Sequence, residues 1–372
     1  MNWEYLQPVT IRFGNGIIGQ LKEVAESIGG TKGLLVSGPF FIKSGLAEQI
    51  MINSDGKITG VFGEVSPNPD VTEVDKCAEK IREGGYDFLV ALGGGSTLDC
   101  AKAAGSICLT KESIRAYHGT GKAMPLAHLP LIAIPTTAGT GSEVTSVSVL
   151  SDHELGKKAP IVSNGFYPTI ALIDPELTYS MPASVTASSG IDVLSHALEG
   201  FWSKGHQPVC DALALHATKL VFDYLRSAYA NGENKEAREK MAEASVIAGL
   251  AFTLPKTTAS HACSFPLTNI YHIPHGEACG LTLDYFARIN ATAENGRLET
   301  FVKKLGFADV NEMADEIVAL KKFLGLRVDL KDLNLSEEQI RELVRISRHP
   351  NLYNNPIDIT DEMLYEMYCA FC

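Results

Sequence analysis

A change of periodicity at Met181-Pro182 constrains this chain more than any other feature of its sequence. Before it, five short apolar runs (33–38, 57–63, 86–92, 130–137 and 169–175) are bounded by Gly or Pro and alternate with the amphipathic segments 41–52, 71–84 and 97–107. Strands alternating with helices predict an α/β domain over residues 1–180. Its sheet is expected to be mostly parallel, with ligands bound beyond the carboxyl ends of the strands. After it, 183–202, 207–229, 235–252, 276–290, 297–305, 309–323 and 336–347 all carry a helical period, and strand signals almost vanish. A second, all-helical domain over 181–372 is the expectation, and Ser336 with Gln339 supplies a capping box to its last clear helix. With no flexible linker between the halves, they are expected to share a cleft.

Acidic residues outnumber basic ones 44 to 32, and no dense Lys/Arg stripe offers what a phosphate backbone needs, which argues against a nucleic-acid partner. A composition of 45% hydrophobic and 20% charged residues excludes disorder, collagen and coiled coil. The opening MNWEYLQPVT has no leader-like pattern, and no stretch approaches the roughly 20 apolar residues of a membrane span. A soluble, cytoplasmic protein is expected. Eight cysteines, mostly inside apolar segments, read as buried free thiols of a reducing compartment. Cys369-Ala-Phe-Cys372 reads as packing at a C-terminal helix rather than as a metal or redox pair.

Two glycine clusters compete for a nucleotide. Gly14-Asn-Gly16-Ile-Ile-Gly19 satisfies G-x-G-x-x-G, yet the strand end about twenty residues on is Val36-Ser37-Gly38, with no acid for a ribose hydroxyl. Leu92-Gly93-Gly94-Gly95-Ser96 comes straight after an apolar strand and straight before a helix near Thr97. Backbone amides free of side chains can approach a pyrophosphate there, at a helix N-terminus. Thr136, Thr137, Thr140 and Ser142 bring four hydroxyls to the same sheet edge, suited to phosphate or ribose; a solvated loop has the same composition.

The ionisable residues carry the sharpest signal. Asp192 and His196, at i and i+4, put a carboxylate and an imidazole about 6 Å apart on one helix face. Such a pair is either a metal site or a plain hydrogen-bonded stabiliser. His261 and His275 follow, and fourteen residues of straight helix would hold them about 21 Å apart. Pro266 and Pro274 predict instead that the chain folds back and presents His275 on a Pro-His-Gly turn. One carboxylate with three neutral imidazoles suits Fe²⁺ or Zn²⁺ and disfavours Ca²⁺ or Mg²⁺. His272 is an outer-shell candidate, and the other histidines are expected at the surface.

At this point the chain resembles the iron-dependent (group III) alcohol dehydrogenases, from Phe13-Gly14 almost to the C-terminus. The resemblance is carried by Pro67-Asn68-Pro69, Gly93–Ser96 with Asp99 and Lys102, Pro135–Glu143, Asp174-Pro175, the run Gly190–Glu199 around Asp192 and His196, and Pro274-His275-Gly276. It implies an N-terminal Rossmann-like domain plus an all-helical C-terminal domain, the architecture shared with dehydroquinate synthase-like enzymes. It implies NAD(P) on Gly38, Gly94, Gly95, Ser96, Asp99, Thr136, Thr137, Thr140 and Ser142, and iron, or zinc as purified, on Asp192, His196, His261 and His275. It also implies a homodimer or larger homo-oligomer, and it moves Gly14-x-Gly16 into an opening hairpin. The expected reaction is hydride transfer between nicotinamide and a small aldehyde or primary alcohol whose oxygen a divalent ion polarises.

Two departures from the family pattern bear on the chemistry. Many relatives carry a further histidine four residues after the third ligand; here that residue is Phe265, which relays no proton. Gly38 stands where NAD-preferring relatives commonly place an Asp, so a 2′-phosphate meets no negative charge. Within the family, the run Lys256–Leu267 is most similar to reductases of phosphonoacetaldehyde-type substrates, which makes an anionic aldehyde met by Lys256 one expectation and a solvated lysine the other. A dehydroquinate synthase-like lyase and a non-enzymatic metal or nucleotide sensor are the rival readings.

Overall fold

The computed structural model describes residues 2–293 and 296–372, which form two compact units. The first unit is Gln7–Tyr179; the second is Ser180–Cys372 with the opening residues of the chain through Leu6.

Eight strands build the first unit: β1 (Thr10–Phe13), β2 (Gly33–Ser37), β3 (Ile58–Phe62), β4 (Phe88–Gly93), β5 (Leu131–Pro135), β6 (Val147–Asp152), β7 (Lys157–Val162) and β8 (Ile170–Ile173). Six form one sheet in the order β1-β8-β5-β4-β2-β3, every pair parallel, while β6 and β7 make a separate antiparallel pair. Every residue of β2, β4 and β5 is buried, as a parallel sheet covered on both faces requires. Alternate residues feed two cores. Leu34, Val36, Leu89 and Ala91 pack with the helices Val71–Gly84 and Gly95–Ile107, and Leu35, Val90 and Leu92 pack with Leu21–Ser27 and Leu46–Asn53.

All five expected strands are present, and β1, β6 and β7 are additions to them. The segment 41–52 is not one helix: Pro39–Lys43 and Leu46–Asn53 are separated at Gly45, whose φ of 81° a right-handed helix cannot contain. Gly14-x-Gly16 does not sit in a hairpin. β1 pairs in parallel with β8, and the glycine turn after it is held by Asp174, whose carboxylate accepts from Gly16 N (3.1 Å) and Ile18 N (3.2 Å).

The described residues of the second unit contain helices and no strand. Long apolar faces make Ala183–Trp202, Pro208–Ala230, Lys235–Phe252 and His275–Asn290 its core, and the capping box at Ser336 and Gln339 is formed by both of its hydrogen bonds. Pro266 does not turn the chain; it lies inside a helix, Ala259–Tyr271, where it removes a single backbone donor and is itself buried. The reversal comes later, at left-handed His272 (φ 57°) and at Pro274, which caps the helix carrying His275. His272 is exposed there, which removes it from any outer shell. Cys369 is exposed and Cys372 half-buried, so the C-terminal helix Asp361–Phe371 packs through Leu364, Met367 and Tyr368 and not through the cysteine pair. The other six cysteines are buried and free. No helix among the described residues is long and apolar enough to cross a membrane.

Candidate functional site

In the first unit the Gly93–Gly95 loop and the Thr136–Ser142 loop meet at the carboxyl ends of β4 and β5. Thr136 N donates to Gly93 O (3.1 Å), and a Cβ on Gly95 would lie 2.8 Å from Thr140, so the third glycine is required by the close approach of the two loops. Gly94, Gly95, Ser96, Thr137 and Thr140 are partly exposed at the start of the helix Gly95–Ile107, where its first N–H groups attract phosphate. Asp99, Thr136 and Ser142 are buried instead. Ser142 Oγ donates to Asp99 Oδ1 (2.6 Å), Asp99 Oδ2 accepts from Val149 N (2.8 Å), and Lys102 Nζ donates to Ser142 Oγ (2.7 Å), Thr145 Oγ1 (3.2 Å) and Val147 O (3.0 Å). This network braces the loop from beneath. Burial raises the pKa of Asp99, lowers that of Lys102 to about 8 and raises that of Glu143 to about 7. Gly38 is at the carboxyl end of β2, caps the short helix Pro39–Lys43, and leaves 3.1 Å between a would-be Cβ and Val65 O.

In the second unit the structure brings together Asp192, His261, His275 and Cys279, whose donor atoms all lie within 4.8 Å of one another. Two glycines make this possible. A Cβ on Gly276 would lie 2.0 Å from Ser188 O and 2.8 Å from Asp192 Cβ, and one on Gly280 2.6 Å from Ile191, so the helix of His275 approaches the helix of Asp192 as only glycine permits. His196 stands beside the group, its Nε2 3.9 Å from Asp192 Oδ1 and its ring 4.7 Å from that of His261, stacked on Phe252.

His261 is set by Glu199. That buried carboxylate accepts from Thr258 N (3.0 Å), Thr258 Oγ1 (2.8 Å), Ser260 N (2.9 Å) and His261 N (3.3 Å) through Oε1, which places an acid on a helix N-terminus. Its Oε2 accepts from His261 Nδ1, an arrangement that leaves Nε2 as the lone-pair nitrogen. His261 Nε2 and Asp192 Oδ1 are buried 3.7 Å apart, with no hydrogen-bond partner among the described residues. Two ligands at about 2 Å from a tetrahedral ion stand roughly 3.3 Å apart, so a small cation fits between them. Burial opposes a charge on His261, yet Cys279 and Glu199 carry its pKa well above the ordinary histidine value, while burial raises that of Asp192 to about 7.

Cys279 and Glu199 are the participants that sequence reasoning did not assign. Cys279 lies one helical turn beyond His275, its Sγ 3.8 Å from Nε2, and the i, i+4 spacing was the available signal. Lys256 is half-buried with φ 68°, and its Nζ donates to Thr253 O (2.6 Å), closing the preceding helix. Phe265 lies face to face with His275 at 6.1 Å and 4.6 Å from the ring of His349.

The family model for iron-containing alcohol dehydrogenase matches residues 8–175, and that for the C-terminal domain of the Fe-containing alcohol dehydrogenase family matches 186–372. The NAD-dependent methanol dehydrogenase of Bacillus methanolicus is 33% identical over 92% of each chain, and the 1,3-propanediol dehydrogenase of Citrobacter freundii 33% identical over 98% of each. Among solved structures, a sulfoacetaldehyde reductase from Bifidobacterium kashiwanohense in complex with NAD+ is 65% identical, with a TM-score of 0.98 over 100% of this chain and 99% of that one. A 1,3-propanediol oxidoreductase is 31% identical with a TM-score of 0.92 over the whole of both chains. This chain belongs to the iron-containing alcohol dehydrogenase family and is an NAD-dependent oxidoreductase.

Proposed function

We propose that the protein reduces a short aldehyde bearing a strongly anionic group, a sulfonate first, with a nicotinamide cofactor and a divalent metal. The observation that carries this reading is the 65% identity, along the full chain, with a sulfoacetaldehyde reductase. The methanol and propanediol dehydrogenases stand at about half that identity. Residues 1–180 serve as the NAD(P)-binding domain and 181–372 as the metal-binding domain of a cytoplasmic homodimer or larger homo-oligomer.

Asp192, His196, His261 and His275 would hold iron, with zinc as the alternative occupant, and Cys279 offers a further donor atom in the cluster with Asp192, His261 and His275. When bound, the ion supplies Lewis-acid polarisation of a carbonyl and the reduced nicotinamide supplies the hydride. Glu199 keeps the proton on His261 Nδ1 and so fixes the ring for its task. Amides at Gly94–Ser96, with Thr137 and Thr140, bind cofactor phosphate and ribose, and Asp99, Lys102 and Ser142 hold that loop in place. Gly38 carries no carboxylate, so both NADH and NADPH enter. Phe252 and Phe265 dry the metal side, and the proton that completes the product hydroxyl comes from water or a cofactor hydroxyl.

The test loads the purified protein with Fe²⁺ and follows NADH and NADPH oxidation with sulfoacetaldehyde, phosphonoacetaldehyde and propionaldehyde. The expected kcat/KM is at least about tenfold higher for the anionic aldehydes, and His261→Ala and His275→Ala lose both metal and turnover. A better rate with neutral aldehydes makes the chain a general alcohol dehydrogenase, and no net NAD(P)H consumption with any aldehyde favours a lyase or sensor.

A further inference from the structure

An anionic aldehyde needs a hydrogen-bond donor for its head group near the metal ligands, and two basic side chains, Lys256 before the His261 helix and Arg348 beside His349, are otherwise engaged. Lys256 Nζ donates to Thr253 O, and Arg348 is bound to Asp361 and to Ile359 O (2.9 Å). His349 differs from both. Its ring packs on Phe265 at 4.6 Å, and Phe265 lies face to face with His275 at 6.1 Å, so the His275 and His349 rings are separated by less than about 11 Å. Its Nδ1 accepts from Asn351 N (3.2 Å), which commits the neutral ring to carrying its proton on Nε2.

The segment that holds His349 is pinned to the stretch leading into the His261 helix. Asn351 Nδ2 donates to Thr257 Oγ1 (2.8 Å), and Asn354 Nδ2 donates to Pro255 O (2.8 Å) and Thr257 O (3.1 Å). A donor held this way loses little side-chain entropy on meeting a ligand. A two-carbon aldehyde sulfonate spans about 5 Å from carbonyl oxygen to sulfonate oxygen, and a hydrogen bond adds about 3 Å, a reach of about 8 Å that lies within the upper bound of about 11 Å on the separation of the two rings.

We infer that His349 is the specificity-determining residue for the anionic head group, its Nε2–H donating to a sulfonate oxygen while the aldehyde end lies toward His261 and His275. The inference rests on the proposed reading of the substrate and adds the group that selects it.

The test compares the iron-loaded wild type with His349→Ala, His349→Gln and His349→Asn, using sulfoacetaldehyde and propionaldehyde as substrates and isethionate as a competing product. Glutamine carries an amide N–H near the position of Nε2, and asparagine only near that of Nδ1. Expected are a rise of about tenfold or more in KM for sulfoacetaldehyde and in Ki for isethionate in the Ala and Asn variants, recovery to within about threefold in the Gln variant, and an unchanged KM for propionaldehyde throughout. A parallel loss for both aldehydes shows that His349 only caps its turn and overturns the inference, as does an unaltered KM for sulfoacetaldehyde in all three variants. A wild type that prefers propionaldehyde overturns the substrate reading, and the inference with it.

Discussion

Replacing Glu199 by Gln exchanges one oxygen for an amide group at the base of the ligand cluster, and the bonds around that side chain dictate the result. With its oxygen kept in the Oε1 position, glutamine still accepts from Thr258, Ser260 and His261 backbone N–H groups but turns an NH₂ toward His261 Nδ1. Two donors then face each other unless the imidazole moves its proton to Nε2, and that removes the lone pair 3.7 Å from Asp192 Oδ1. Losing an outer carboxylate of this kind costs about 10–100-fold in metal affinity, about 1.4–2.7 kcal/mol. The opposite amide orientation spares the imidazole but aims the NH₂ at the helix N-terminus, leaving buried N–H groups unmatched at roughly 1–3 kcal/mol of stability. Glu199→Gln therefore lowers either metal affinity or the melting temperature of the metal-free protein. Equilibrium dialysis against Zn²⁺ and Fe²⁺ measures the first, and a thermal melt of the chelated protein the second. A variant that matches wild type in both refutes the account of how His261 is oriented.

Three further perturbations have definite outcomes. Gly276→Ala puts a Cβ 2.0 Å from Ser188 O and forces two helices apart, so bound metal falls well below one per chain and stability drops by about 1–3 kcal/mol; a variant with full metal content refutes the packing argument. Gly38→Asp weakens NADPH more than NADH by about 1–3 kcal/mol of charge repulsion, with Gly38→Ala as the control for the contact to Val65 O, and equal losses for both cofactors put the ribose elsewhere. Burial raises the pKa of Glu143 to about 7, above its unfolded value, so its ionisation costs nothing below about pH 4.5 and increasingly destabilises the fold as pH rises to 7. Glu143→Gln is neutral throughout, and its advantage in melting temperature over wild type is larger at pH 8 than at pH 5; an advantage independent of pH contradicts this.

What could be read from the sequence divides along a physical line. β2, β4 and β5 were legible because burial on both faces leaves an unbroken apolar run, whereas β7 has one fully buried residue in six and contains Pro160, so nothing marks it as a strand until its partner is known. Asp192, His196, His261 and His275 stand out by residue type, since carboxylates and imidazoles in apolar segments need a partner. Cys279 does not stand out, because a thiol in an apolar helix looks like any core cysteine. Glu199 is invisible for a different reason: its donors belong to a helix that starts sixty residues later, and a local rule for proline breaks that helix at Pro266, since it does not include the packing that keeps Pro266 inside it. Gly276 and Gly280 mark where such non-local information was present. Two glycines one turn apart beside a histidine, in an otherwise regular helix, signal that another backbone must pass close by. The element opposite is the one carrying Asp192, so the pair of glycines encodes the contact that neither helix's own periodicity could express.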